Sequence, residues 1–486
     1  MADKDTSSRK ERSDLFKVEE AQQSLAPVDK IVLPPEEALK RRIRRLIAAG
    51  IAAVFFFLIA HAVLGWIRDA RLEAALDEVI DDASPDTIET ALGMLRSEPD
   101  PSVRARLLAT AALGGDAAKL REAETLLAEV VDPNDPDQRI ARVYAFLAEG
   151  DARAAHGEVE RPAKYTDQAD AFLRGRALTS VARGQWDQAL EDAQKVANAR
   201  PGAPEPLALL ALVTANTEGL DAAIAVLDRV DEDTSATRMA RARILVLERD
   251  RQDEAIALAN DVLADDDAPT LHKAWARYVQ GLVAFHRGAI GEAYRHARAA
   301  SEPELRVDEM LVVSTAQLLL ALERTEDAKH VLKRLSSGPS ADLFTRAHVI
   351  AWWYAQSGDM RAGLATLSGA GYGPDKEAAP PFRAFVLAEL LSSSPRADER
   401  TRAIELYRRT LGDSDWGVLA AHALAGILLE DGEDEQAIEV LQTALAAHPS
   451  HLTLVDRAAQ AWIASDRLAD AEKVTATALE TFDDEG

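Results

Sequence analysis

Residues 169–203 read ADAFLRGRALTSVARGQWDQALEDAQKVANARPGA, and the rest of the chain repeats their pattern. Two short helices meet at Gly184-Gln185-Trp186, and the second ends before Pro201, which cannot continue a helix. With Asp170 as the first position of a unit, Gly184 is fifteenth, Trp186 seventeenth, Ala189 twentieth, Val196 twenty-seventh and Pro201 thirty-second. Small residues at such spacing let paired helices cross closely.

Aligning other stretches on the small residue at position twenty gives Ala123, Ala155, Ala189, Ala223, Ala255, Ala293, Ala328, Gly363, Ala403, Ala437 and Ala471. The intervals are 32, 34, 34, 32, 38, 35, 35, 40, 34 and 34. Gly150, Gly288, Gly358 and Gly432 stand in the inter-helix turn as Gly184 does, and Pro449 stands as Pro201 does. A sustained period near 34 is the mark of a repeat architecture rather than of unrelated helices. About eleven units, or twelve, cover residues 71–482.

This pattern resembles the tetratricopeptide repeat (TPR), a helix-turn-helix of ~34 residues. The match is partial: the family's glycine at position eight appears only as Gly281, with alanine in most other units, and its bulky residue at position four is mostly missing. The resemblance implies an all-α, right-handed solenoid whose concave groove is lined by first helices, used for binding proteins or peptides. Each repeat is expected to bury its apolar side only against its neighbours. Loops are expected to bulge at the long intervals, around Gly281 and between Gly371 and Pro381.

Residues 1–34 are polar, mixed in charge and broken by Pro27 and Pro34, which predicts a disordered tail. Within it Leu15-Phe16-Lys17-Val18 is a short apolar cluster. Pro35-Glu36-Glu37 then starts a helix that runs into a basic collar of Lys40, Arg41, Arg42, Arg44 and Arg45. From Leu46 to Ile67 the only ionisable group is His61. At ~1.5 Å per residue this span covers roughly 33 Å, enough for a hydrocarbon core of ~30 Å. We read residues 35–70 as collar and transmembrane helix.

The collar outweighs Arg68 and Arg71 on the far side, which predicts a cytoplasmic N-terminus and a repeat region across the membrane. Trp66 suits the far interface, and the collar suits anionic lipid headgroups. Ala60-His61-Ala62 has the small-x-small form of a signal-peptidase site, but the apolar run continues past it. His61, alone in the span and near its end, reads as an interfacial residue rather than a proton relay. Beyond it Leu72, Leu76, Val79 and Ile80 share one helical face, and Ser84-Pro85-Asp86 opens the next helix. Residues 483–486 are an acidic tail.

Hydrophobic residues make up 47% of the chain and aromatics only 5%, a balance that favours helix formers. The net charge is -26 and the repeats hold no basic patch, which argues against nucleic-acid binding. The chain has no cysteine, so thiol nucleophiles, disulfides, iron-sulfur clusters and cysteine zinc sites are excluded.

No catalytic constellation stands out, and no cofactor is implied. His448 and His451 are the only close histidine pair and lack zincin spacing. The glycines of Gly369-Ala370-Gly371-Tyr372-Gly373 lack the lysine and preceding strand of a phosphate loop. The many carboxylates read as a solvated face. We therefore read the chain as non-catalytic.

Positions two, five, nine and twelve of each first helix are projected to face the groove. They give Trp275, Tyr278, Leu282 and Phe285 in one unit, Met310, Val313 and Gln317 in the next, and His348 and Trp352 in the third. As an exposed set these residues form an aromatic and apolar partner-binding patch; as packed rings they belong to the core. The layout is similar to that of bacterial inner-membrane proteins with a periplasmic repeat domain that accompany translocation or envelope-assembly machinery. A cytoplasmic-facing regulator of the same family is the alternative topology, and an enzyme with an unrecognised site is a third.

Overall fold

The structure, a computed structural model, describes residues 70–484 apart from segments 96–99, 130–131, 133–134, 162–169, 303–307, 336–339, 341, 373–379 and 450. The tail, the collar, the span from Leu46 to Ile67 with His61, and the Ala60-His61-Ala62 motif lie outside the described residues. Among the described residues no helix is long and apolar enough to cross a membrane.

The described residues form helices and no strand. A helix over residues 70–81 and α1 (Pro85–Met94) precede eleven helical hairpins. These are α2 (Pro101–Leu113) with α3 (Ala117–Glu129), α4 (Pro136–Ala148) with α5 (Ala152–Val159), and α6 (Asp170–Ala182) with α7 (Trp186–Ala199). Next come α8 (Pro204–Thr217) with α9 (Leu220–Leu227), α10 (Ser235–Leu245) with α11 (Gln252–Ala264), and α12 (Thr270–His286) with α13 (Ile290–Ser301). Then follow α14 (Glu309–Ala321) with α15 (Thr325–Leu332), α16 (Leu343–Gln356) with α17 (Met360–Gly369), and α18 (Pro381–Ser392) with α19 (Ala397–Thr410). The last two are α20 (Gly417–Glu430) with α21 (Asp434–Ala447), and α22 (Leu452–Ala464) with α23 (Leu468–Asp484). The final helix runs two residues into the stretch read as an acidic tail.

Local chemistry sets the helix ends. Asp100 and Asp135 precede Pro101 and Pro136, and their carboxylates accept the first free amides of α2 and α4. Gly184 turns the chain between α6 and α7 at φ 68°, a left-handed conformation in which a Cβ is costly. Two of the hairpins that lack that glycine place Glu323 and Asp466 at φ 58° and 57° instead.

The position-twenty residues fall on the second helix of all eleven hairpins, and those from Ala123 to Ala437 are buried at the helix crossing. Gly363 replaces alanine for a steric reason: a Cβ there would stand 2.3 Å from Leu390 Cδ2 and 3.2 Å from the Ala351 carbonyl. At Gly281 a Cβ would meet Leu318, Ala293 and Ala297 at 3.2–3.3 Å, so the hairpin α12–α13 closes tightly on the next. The long interval around Gly281 is not a bulging loop. Its extra residues lengthen α12, which at 17 residues contains no helix breaker other than Gly281 itself. The second long interval includes residues 373–379, outside the described residues.

The apolar core is a chain of local clusters, as hairpin stacking requires. The expectation that hairpins touch only their neighbours nevertheless fails at several seams. The Leu271 amide donates to the Gly114 carbonyl at 2.9 Å, bringing the start of α12 to the end of α2. Arg249, between α10 and α11, donates to the Ser414 carbonyl at 2.6 Å and pairs with Asp415 at 3.0 Å. Phe285 at the end of α12 meets the His451 ring edge-on at 5.7 Å. Each hairpin adds a small rotation to the last, and the accumulated curvature brings hairpins about five apart into contact.

Candidate functional site

First helices supply most of the walls of a partly open pocket of about 250 Å³. Helix α2 contributes Leu113, α6 contributes Arg174 and Leu178, and α8 contributes Glu205, Leu209 and Leu212. Helices α10, α12 and α14 add Met239, Arg243, His272, Trp275 and Met310. The Gly114–Leu271 seam stands at its edge, since Gly114, Pro269 and Leu271 all line it. The lining is mainly apolar, with buried charges set among it.

The first charged pair is self-contained. Arg174 donates to Glu205 at 2.8 Å, and both side chains are largely buried. Burial opposes the Arg174 charge, but Glu205 and Tyr144 more than compensate and leave the guanidinium above its ordinary pKa.

The second group is not self-contained. Arg243 lies over the Trp275 indole with its Cζ 3.7 Å from the ring centroid, and its nearest carboxylate oxygen, on Asp308, is 3.7 Å away. That distance is too long for a hydrogen bond. Asp308 is already engaged, because its Oδ2 accepts from Trp275 Nε1 at 2.8 Å and its Oδ1 accepts the Leu311 amide at 3.2 Å as the N-cap of α14. Burial therefore holds the Arg243 guanidinium below its ordinary pKa, which Asp308 offsets only in part. His272 shares Nδ1 with the Ser235 hydroxyl at 3.1 Å, and burial lowers its pKa despite the opposing Glu205.

The residues named from the sequence divide three ways. Trp275 and Met310 line the cavity. Tyr278, Leu282 and Gln317 are half-buried; Tyr278 meets Trp275 edge-on at 5.5 Å, and burial pushes its hydroxyl up to about 12. Phe285, Val313, His348 and Trp352 are buried and do not present an exposed patch. His348 has no exposure because Phe344, Tyr372 and Phe382 surround it at centroid distances of 4.2, 5.4 and 5.8 Å. Trp352 packs against Phe385 at 5.1 Å and Trp416 at 5.8 Å, so rings of the next hairpins fill the space that a partner would need.

Arg174, Glu205, Arg243 and Asp308 were not singled out from the sequence. The same register applied to the unit beginning at Asp170 gives Ala171, Arg174, Leu178 and Val181, of which the last three line the pocket. Among the described residues no group of three or more His, Asp or Glu is placed to hold a metal ion.

No protein-family model matches the chain, and no curated protein does. Solved structures that it resembles include a human IFIT1 dimer with PPP-AAAA, at 12% identity and a TM-score of 0.37 over 82% of this chain and 85% of that one. A human IFIT1 dimer with m7Gppp-AAAA aligns at 12% identity and 0.38 over 83% and 95% of the two chains. The APC/C hetero-tetramer Cut9-Hcn1 aligns at 12% and 0.34 over 86% and 91%. The repeating hairpins themselves, rather than these distant likenesses, define the fold as a TPR-like helical solenoid.

Proposed function

We propose that this protein is a non-catalytic, membrane-tethered scaffold that holds a protein or peptide partner. The observation that carries this reading is the concave face, to which seven successive first helices, α2 to α14, contribute a continuous, mainly apolar lining. Half-buried Tyr278, Leu282 and Gln317 extend the same run of first helices and form the accessible part of the partner surface.

The tether is the apolar span from Leu46 to Ile67 with its basic collar, which sets the N-terminus in the cytoplasm and the solenoid in the periplasm of a bacterial inner membrane. The net charge beyond residue 45 is about -28, and such a surface steers basic partners and disfavours nucleic acid. A role in envelope assembly or protein translocation follows from this layout.

Two experiments test the reading. An alkaline phosphatase fusion after Gly486 should be active and a green fluorescent fusion dark, and the reverse pair places the solenoid in the cytoplasm. Leu282→Glu combined with Gln317→Lys should abolish co-purification of the main partner while helical content is kept. Retention of that partner by a folded double variant removes this surface from the interaction.

A further inference from the structure

We propose that this partly open pocket binds a small amphipathic monocarboxylate, with the carboxylate paired to the Arg243 guanidinium and the apolar part against Leu178, Leu209, Leu212, Met239 and Met310. This goes beyond the scaffold reading and does not rest on it.

The starting point is an unfilled bonding capacity. A guanidinium carries five N–H donors in one plane. The Arg243 side chain is only 17% exposed, yet among the described residues it donates no hydrogen bond. Its flat face is occupied by Trp275, and Asp308, whose oxygens are drawn to Trp275 Nε1 and the Leu311 amide, stays at 3.7 Å, an ion-pair distance beyond hydrogen bonding. The other arginines on the cavity wall differ. Arg174 is held by Glu205 at 2.8 Å, and Arg334 donates to the Ser301 carbonyl at 2.6 Å. A largely buried cation that has a carboxylate at ion-pair distance but no hydrogen bond is only partly compensated, in keeping with the lowered pKa of Arg243. An oxyanion in the cavity would supply the acceptor through charge-assisted hydrogen bonds.

Charge and volume narrow the ligand. Glu205, Asp308 and Glu309 also line the pocket, and Arg174 and Arg334 on its wall are already hydrogen-bonded, so a second negative charge on the ligand would find no further open cation. This favours a carboxylate over a phosphate dianion. A cavity of roughly 150 Å³ holds benzene; at about 250 Å³ this one takes an aromatic ring with a short chain, or an alkyl chain of similar size. The apolar wall disfavours a purely polar anion.

Calorimetry on the full-length protein in detergent, titrated with 4-phenylbutyrate, 4-phenylbutanol and inorganic phosphate, tests the proposal. We expect saturable binding of the acid at one site, about ten-fold or more tighter than the alcohol, and none of phosphate. Arg243→Gln should weaken the acid about ten-fold and leave the alcohol unchanged. Met310→Trp, which fills the cavity and keeps Arg243, should remove both, with circular dichroism confirming the fold of each variant. Should Arg243→Gln not fold, the acid-to-alcohol ratio and Met310→Trp still decide the matter. The proposal is overturned by absence of acid binding at millimolar concentration, by equal binding of acid and alcohol, by phosphate binding more tightly than the acid, or by unchanged acid binding in Met310→Trp.

Discussion

The backbone amide of Leu271 donates to the carbonyl of Gly114 at 2.9 Å, although the two residues belong to hairpins five apart along the array. A solenoid held only by adjacent contacts has no such bond. It makes the stability of α2 depend on α12, and it closes one edge of the cavity.

That dependence is measurable. A Cβ on Gly114 would stand 3.2 Å from Pro269 Cβ and 3.2 Å from the Ala111 carbonyl, while the glycine's φ of -73° suits any residue. Gly114→Leu should therefore act through the seam rather than through backbone strain, and cost about 1–3 kcal/mol. Hydrogen exchange should accelerate both in residues 101–113 and in residues 270–286. Acceleration confined to residues 101–113 would mean that the seam transmits nothing.

Gly363 gives a second, purely steric test. It occupies the place that alanine holds in the other hairpins, and Leu390 fills the space a methyl group would need, with the Ala351 carbonyl close behind. Gly363→Ala should lower stability by roughly 1–2 kcal/mol even though alanine is the better helix former. Urea titration checks the sign; a stabilised variant would show that Leu390 moves aside freely.

The two turns that hold a non-glycine residue at positive φ predict the opposite change. Glu323 is exposed and sits at φ 58°, where an L side chain costs about 1–2 kcal/mol, part of which glycine returns through its freer unfolded chain. Glu323→Gly should stabilise by about 0.5–1 kcal/mol, and Gly184→Ala should destabilise by about 1 kcal/mol. Equal melting temperatures for all three proteins would refute the strain argument.

The hairpins were legible because position twenty is read locally: a small residue every ~34 residues records a helix crossing that each unit must solve for itself. Residue pairs such as Gly114 with Leu271, or Phe285 with His451, left no such mark. They depend on curvature summed over five hairpins, and no single residue encodes that sum. The site was half legible for a related reason. Arg174 lies in the inward register, but the rings are its conspicuous members, and at His348 and Trp352 those rings face their neighbours' Phe382, Phe385 and Trp416 instead of a groove. Arg243 is recognisable only once Asp308 is seen to be held by Trp275 and α14 beyond hydrogen-bonding distance of it.

Acid should loosen the same seams. Burial lowers His286 to about 3, with Arg249, His451 and His448 adding to the effect. His422 and His451 fall to about 4, also chiefly through burial, with Arg457 and His448 respectively the next contributors. His348, buried among rings, lies at about 4 as well. Their neutral forms are built into the packing: Gln252 Nε2 bonds His286 Nδ1 at 2.7 Å, and Arg457 donates to His422 Nε2 at 3.0 Å. Since the unfolded chain protonates these rings near about pH 6.5 and the native protein does not until lower pH, the unfolded state binds more protons in between. Their contribution is thus complete above about pH 6.5 and is lost as pH falls toward about 4, by up to about 1.4 kcal/mol per pH unit for each ring. Glu309 and Glu389, raised by burial, act in the opposite direction and blunt the loss. Melting temperature should be flat from about pH 8 to 7 and drop steeply between about pH 6 and 4.5. His451→Gln, referenced to its own stability at neutral pH, should show a shallower drop, because one of the rings that must remain neutral at the Phe285 seam is gone. An identical slope in the variant would mean that His451 does not titrate with unfolding, and the acid sensitivity would then belong to the other rings.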